Sequence, residues 1–244
     1  MPFSPKPLMP LSKRPHGLSK QHTIILGGLA FTPDMSGALY CAAENLLLIA
    51  DLHLEQGTSL ARRGLHVPPF DTLVTLAMLE QVLANTKAQR LVLLGDSFHD
   101  AVAHETVGDS DATRLRNITN AVETIWISGN HDPHAHDILG GTCVDEMQFG
   151  EITLRHIPAR LKSNELEIAG HLHPGAAIAQ RGQLIRTKCF AADHRRIILP
   201  AFGSYTGALN VLSGAYAGLF DETKAQAWMI GKTAMHCFPW KRLG

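Results

Sequence analysis

At 244 residues and 26.6 kDa the chain is long enough to bury a substantial core as one large domain. Lys and Arg total 22 and so do Asp and Glu, so the formal charge is zero and by itself gives no support to nucleic-acid binding. With 45% hydrophobic residues the composition is globular rather than disordered, and no apolar run is long enough to span a bilayer, so no membrane partner is expected.

Residues 1–22 interleave Pro2, Pro5, Pro7, Pro10 and Pro15 with Lys6, Lys13, Arg14 and Lys20, which reads as a flexible basic tail without the apolar centre of a signal peptide. Residues 23–244 are expected to form a single domain. Between Thr23 and Ile49 two apolar segments flank Pro33, Asp34, Ser36 and Gly37, the pattern of strands joined by a turn. The run from Leu46 to Ala50 then ends abruptly in Asp51-Leu52-His53. Alternate strand residues share a face, so a carboxylate and an imidazole emerge side by side where the sheet stops. Open α/β sheets bind their ligands at such strand ends.

Residues 55–70 read as a loop, too polar and too rich in Gly and Pro for a core element. On it, Arg62 and Arg63 could hold phosphate and His66 could add a proton donor. Asp71 is expected to cap a helix whose Leu73, Leu76, Ala77, Leu79 and Leu83 form an apolar stripe. The opening design then recurs: Arg90 to Leu94 runs into Gly95 and Asp96, with His99 and Asp100 just beyond. After a further helix expected from Asp111 to Val122, Thr124 to Ser128 ends in Gly129-Asn130-His131-Asp132. Gly95 and Gly129 suit sharp turns that approach a ligand closely.

The alternating segment from Glu151 sets His156 near another strand end, and Glu167-Ile-Ala-Gly is followed by His171 and His173 at the spacing of Asp51 and His53. Cys189 to Ala192 and Arg196 to Leu199 read as two strands about a turn at Asp193 and His194. Residues 201–210 form a small, polar loop able to pass closely under a site. Leu219 to Glu222 and Ala225 to Cys237 read as a terminal hairpin. Cys41, Cys143, Cys189 and Cys237 show no Cys-x-x-Cys spacing, so reduced thiols and a cytoplasmic setting are expected.

Asp51 with His53, Asp96, Asn130 with His131, His156, and His171 with His173 thus stand at separate strand ends. Hard oxygens mixed with imidazoles, and no cysteine, suit manganese, iron or zinc rather than calcium or a soft metal. They are too many for one ion. Two divalent metal ions about 3.5–4 Å apart, bridged by one carboxylate, would use them all and would suit phosphoryl chemistry.

In this order Asp-x-His, Gly-Asp, Gly-Asn-His-Asp, a lone His and Gly-His-x-His resemble the motifs of the calcineurin-like binuclear metallophosphoesterases, from about Leu46 to Phe202. The resemblance implies an α/β fold of α+β sandwich type, with two mixed β-sheets flanked by helices in four layers. It implies that Asp51, His53 and His173 hold a first metal, that Asn130, His156 and His171 hold a second, and that Asp96 bridges them. It further implies that Asn130 offsets developing charge, that His131 serves the leaving oxygen, and that Asp132 orients His131 or shapes its loop. Phosphoprotein phosphatases of this superfamily continue Gly-Asp with an Asp-Arg pair, whereas this chain has His99 and Asp100 there. That departure counts against a protein phosphatase, and leaves Arg62, Arg63, His66 and His99 as the candidate phosphate contacts beside the metals.

The longer phrases Asp-Leu-His-Leu-Glu, Ala-Arg-Arg-Gly-Leu, Gly-Asp-Ser-Phe-His-Asp, Gly-His-Leu-His-Pro and Leu-Pro-Ala-Phe-Gly-Ser-Tyr-Thr-Gly are similar to those of the bacterial ligase-associated DNA damage response endonucleases. This implies manganese-dependent hydrolysis of single-stranded DNA phosphodiesters in DNA repair, often by a homodimer, in functional association with DNA ligase and helicase repair proteins. Two divalent ions would add about four positive charges in one cleft, so the zero total matters less than the local field. Lys162, Arg181, Arg186, Lys188, Arg195 and Arg196 could extend that field along a strand. A small-molecule phosphomonoesterase or nucleotide phosphodiesterase using the same ions, and a scaffold that has lost catalysis, are the alternatives.

Overall fold

Two-residue alternation along the strands assigns side chains to layers. The computed structural model describes residues 23–65, 67–100, 103, 106–131, 139–180 and 182–244. Its first sheet has seven strands in sequence order: β1 (Ile24–Leu26), β2 (Leu29–Pro33), β3 (Leu39–Cys41), β4 (Leu46–Ile49), β5 (Arg90–Leu94), β6 (Glu123–Ile127) and β7 (Thr142–Val144). Pairing is antiparallel from β1 to β4 and parallel from β4 to β7. The long connections hold α1 (Gln56–Arg62) and α2 (Asp71–Thr86) between β4 and β5, and α3 (Asp109–Ala121) between β5 and β6.

The second sheet has nine strands: β8 (Glu146–Phe149), β9 (Ile152–Arg155), β10 (Leu166–Ala169), β11 (Pro174–Gln180), β12 (Gln183–Ala192), β13 (Arg196–Ile198), β14 (Leu209–Asn210), β15 (Gln226–Ile230) and β16 (Met235–Pro239). Its order is β14-β11-β12-β13-β10-β9-β8, with the β15–β16 hairpin joined to β12. Three apolar clusters separate the layers. Leu46, Leu48, Val92, Leu94 and Ile127 of the first sheet meet Ile152, Leu154, Ile168, Phe190 and Ile197 of the second. The alternate residues Leu47, Ile49, Leu91, Leu93 and Trp126 turn the other way, onto Leu76, Leu79 and Val82 of α2 and Leu115 and Ile118 of α3. On the far face, Cys189, Ala191, Ile198, Ala227 and Met229 are covered by Val211, Tyr216, Phe220 and Trp240. Among the described residues, an α/β sandwich of two mixed sheets with three α-helices results.

Several local expectations change. Residues 56–62 are helical rather than loop, because buried Glu55 ties both its carboxylate oxygens to Thr58 and Thr72 and so folds the segment back onto α2. Phe70, not Asp71, is the residue preceding α2, and Asp71 is its first helical residue. Leu73 is 49% exposed, since the buried face consists of Thr72, Thr75, Leu76, Leu79 and Val82. Strands β7, β8, β11 and β14 had no distinct sequence signal, and Leu219 to Glu222 turns without joining the terminal hairpin. Among the described residues no helix is long and apolar enough to cross a membrane.

Arg196 is buried rather than part of a basic face. It stands opposite Glu167 across the β10–β13 pair and donates from Nε to Glu167 Oε1 at 2.7 Å. The rest of its guanidinium donates to the carbonyls of Leu219 and Ala159. With side chains 1% and 0% exposed, this pair has no water to replace a lost partner. Arg196→Ala is therefore expected to destabilise the protein by about 3 kcal/mol, because it takes the close ion-pair partner from a buried carboxylate that keeps only the Ala159 N–H at 2.9 Å and Arg155 at 3.5 Å. Chemical denaturation checks this; the double variant Arg196→Met, Glu167→Leu should lose less than Arg196→Ala alone.

Candidate metal centre

The parallel strands β4, β5 and β6 leave their apolar register at the same edge of the first sheet, and β9 and β10 end against it from the second. Pairing continues past the strand ends: the Asp51 backbone N–H donates to Gly95 O at 3.2 Å and that of His53 to Asp96 O at 3.0 Å. The two sheets are joined here, because the His171 backbone N–H reaches the Asp51 carboxylate at 3.0 Å, while within the second sheet Gly170 N–H extends the β9–β10 pairing to His156 O at 3.1 Å. Asp51, His53, Asp96, His171 and His173 all have positive φ, between 44° and 69°. Such backbone is costly for residues with a Cβ and concentrates at functional sites.

Two groups of side chains result, Asp51 with His53 and His173, and Asp96 with His156 and His171; in each, one donor atom per residue lies within 4.8 Å of the others. His53 Nε2 and His173 Nε2 are 3.2 Å apart, and His173 Nε2 is 3.4 Å from Asp51 Oδ1. In the second group His156 Nε2 is 3.2 Å from His171 Nδ1, 2.9 Å from Asn130 Oδ1 and 3.3 Å from Asp96 Oδ2. The same Asp96 oxygen is 4.0 Å from His53 Nε2, so this carboxylate faces both groups.

The donor set fits divalent cations. His156 Nδ1–H donates to Leu94 O at 2.9 Å, which turns the Nε2 lone pair towards the other electron-rich atoms. Lone pairs converging on one point repel unless a cation lies among them. Burial brings His53 down to about 4 against the pull of Asp51 and Asp96, leaving the neutral imidazole that coordination requires. Burial, then the charge of His156, lowers His171 as well. Burial pushes the Asp96 carboxyl up, but the hydrogen bond and charge of His156 outweigh it and bring Asp96 down to about 2. For His156 burial works downward, and the Asp96 hydrogen bond with the Asp51 and Asp96 charges reverses it, so the pKa is raised. The carboxylates thus make positive charge favourable at this point.

Gly95 is part of the construction. Its φ is 78°, and a Cβ there would overlap the His156 ring. Gly95→Ala is expected to weaken metal binding by on the order of 10–100-fold, as displaced supports of a ligand do. Calorimetric titration with manganese checks this, and unchanged affinity would show that the ring can shift without consequence.

His131 has its backbone N–H on Asp96 Oδ1 at 3.0 Å, and its side chain, 45% exposed, sets Nε2 3.8 Å from Asp96 Oδ2. His99 stacks on it, with ring centroids 6.1 Å apart and 17° between planes, and lies 5.6 Å from the His53 ring. Arg62 donates to Asp100 at 2.9 and 3.3 Å, and Ser59 Oγ donates to the same carboxylate at 2.7 Å. Asp100 therefore fixes the Arg62 guanidinium. Arg63 is close enough for its charge to help lower His99, after burial and His131. Asp132, His66 and Arg181 lie outside the described residues.

Lys188, read as part of a basic face, turns inward. Its Nζ donates to Ala201 O at 2.8 Å, Gly203 O at 3.0 Å and Thr206 Oγ1 at 2.8 Å, and burial lowers its pKa to about 8. It anchors the loop whose Phe202 and Gly203 backbone N–H groups donate to Ala50 O at 2.9 Å and Asp51 O at 3.0 Å. Gly203 lies so close beneath Leu52 that a Cβ would strike its carbonyl. Lys188 and Glu55 were missed as supports of the site. The only signal for them was a need: carbonyls of a tight loop, and a buried carboxylate, must find partners.

The structure is similar to that of Pseudomonas putida nuclease MPE, with TM-score 0.69 and 27% identity over 89% of this chain and 99% of that one. More distant likenesses include YfcE, a phosphoesterase from E. coli, with TM-score 0.40 and 14% identity over 80% of this chain and 98% of that one. Vps29 from Cryptosporidium parvum follows, with TM-score 0.34 and 15% identity over 79% and 94%. No family model matches the sequence, and no curated protein matches it.

Proposed function

We propose that this chain, whose fold is that of the calcineurin-like metallophosphoesterases, is a two-metal nuclease that hydrolyses phosphodiesters of single-stranded DNA, with manganese as its metal and DNA repair as its setting. The observation that carries the reading is the pair of three-residue groups, Asp51 with His53 and His173 and Asp96 with His156 and His171, in which the Asp96 carboxylate also faces His53, with the exposed His131 beside them. The likeness to a nuclease along 89% of the chain supports the polymeric substrate.

When bound, two divalent ions supply charge against the phosphate oxygens and ease deprotonation of the attacking water. In this reading Asp51, His53 and His173 hold one ion, and Asn130, His156 and His171 the other, with Asp96 between them. Asn130 keeps its amide beside the reacting phosphate, where its N–H donors offset developing charge. His131 gives a proton to the departing oxygen, and Asp132 would orient it. Arg62, kept in place by Asp100, supplies the phosphate-binding cation that the Asp-Arg pair supplies in phosphoprotein phosphatases, with Arg63, His66 and His99 at its side.

Circular single-stranded DNA separates an endonuclease from enzymes that need an end or a small substrate. With manganese, the wild-type protein should linearise the circles and Asn130→Ala should not. Circles left intact by wild-type protein that still hydrolyses nucleotide esters would establish the small-molecule reading in its place.

A further inference from the structure

The two groups of metal-type donors are held by different parts of the fold. In the second group, His156 Nδ1–H is on Leu94 O, Gly170 N–H is on His156 O, and the His131 backbone N–H is on Asp96 Oδ1. In the first, one segment, residues 201–209, meets the backbone at or beside each ligand. Gly203 N–H donates to Asp51 O at 3.0 Å, and Leu209 N–H donates to His173 O at 2.8 Å. Between Asp51 and His53, the Leu52 carbonyl lies where a Cβ on residue 203 would be, so Gly203 lets backbone rest on backbone.

Lys188 joins the two sides of this arrangement. Strand β11 starts at Pro174, immediately after His173, and its Gly175 pairs with Lys188 of β12. From there the Lys188 side chain crosses to the loop and donates to Ala201 O, Gly203 O and Thr206 Oγ1 at 2.8, 3.0 and 2.8 Å. Three acceptors use all three N–H bonds of an ammonium, so none is left for a phosphate. The side chain therefore spans from the strand that follows His173 to the loop beneath Asp51. Those two ligands belong to different sheets, with Nε2 and Oδ1 3.4 Å apart. Lys188 has two opposed effects on a cation there. Its charge, close enough for Asp51 to act on it, repels the ion, whereas its hydrogen bonds keep the ligands in place.

We propose that Lys188 is a positioning residue for the first metal subsite alone, a strut that fixes Asp51 against His173 and so sets how tightly that subsite holds its ion. The proposal rests on the two-metal reading. Its test is calorimetric titration of the full chain, freed of metal by chelation, with manganese. Lys188→Met should weaken one of the two binding steps by on the order of 10–100-fold, the range for displaced supports of a ligand, and leave the other in place. Between the two steps, electron paramagnetic resonance of the variant should show an isolated manganese ion, where the wild-type protein shows a coupled pair. Thr206→Ala keeps the charge and removes one of the three acceptors, so it should act in the same direction and by less; it carries the test if Lys188→Met does not fold. Tighter binding in Lys188→Met would show that charge outweighs position. That result, equal weakening of both steps, or unchanged binding in the folded variants overturns the strut. Wild-type protein that takes up fewer than two ions overturns the two-metal reading instead.

Discussion

Asp96→Asn is expected to lower turnover by on the order of 10³-fold while leaving the protein folded, because the substitution keeps the shape and removes the charge that two metals would share. The Asp96 oxygen that is 3.3 Å from His156 Nε2 is also 4.0 Å from His53 Nε2, so a single atom faces both groups. Its hydrogen bond from the His131 backbone can be retained by an amide oxygen, so the loss should appear in kcat and in metal content rather than in thermal stability. Metal analysis of the wild-type protein should approach two ions per chain, and that of Asp96→Asn should fall well below this. Full activity with two ions retained would remove Asp96 from the bridging role and with it the two-metal arrangement.

His131→Ala should cost about 10²–10⁴-fold on DNA, the range of a positioned proton donor. The side chain is 45% exposed and makes no buried hydrogen bond among the described residues, so stability should change little. The effect should depend on the leaving group. A nucleoside alkoxide needs a proton, whereas p-nitrophenolate departs without one, so a p-nitrophenyl phosphodiester should suffer far less. Equal losses on both substrates would point to a structural or charge-stabilising role for His131 and would reassign the proton to another group, with the stacked His99 the first to examine.

Much of the site was legible because its signals are local. A run such as Leu46 to Ala50 must be a buried strand, and the first polar residues after it must stand at the strand's end, whatever the rest of the chain does. The same reasoning applied at Asp96, Asn130, His156 and His171 yielded a set of metal-type donors by position alone. Residues whose role depends on a distant partner were not legible. Lys188 and Arg196 looked like surface charges, since nothing near them in sequence specifies the loop at 201–206 or the Glu167 carboxylate that draws them inside. Leu73 looked like core for a related reason: it is apolar and near the stripe, and only the direction from which the sheet meets α2 turns Leu73 outward and Thr72 and Thr75 inward. The helix at 56–62 was hidden because its stability comes from Glu55 reaching across to Thr72, a contact with no local periodicity.

By itself, then, the sequence determined the kinds of donors and the strand ends that bear them, because strand alternation and the break from apolar to polar residues are properties of a few consecutive side chains. Only the tertiary structure decided which donors share a point in space. Asp51 and His173 are separated by most of the domain in sequence and by 3.4 Å in the fold. That distance is set by the register between two sheets, and the register follows from how all their apolar faces pack together.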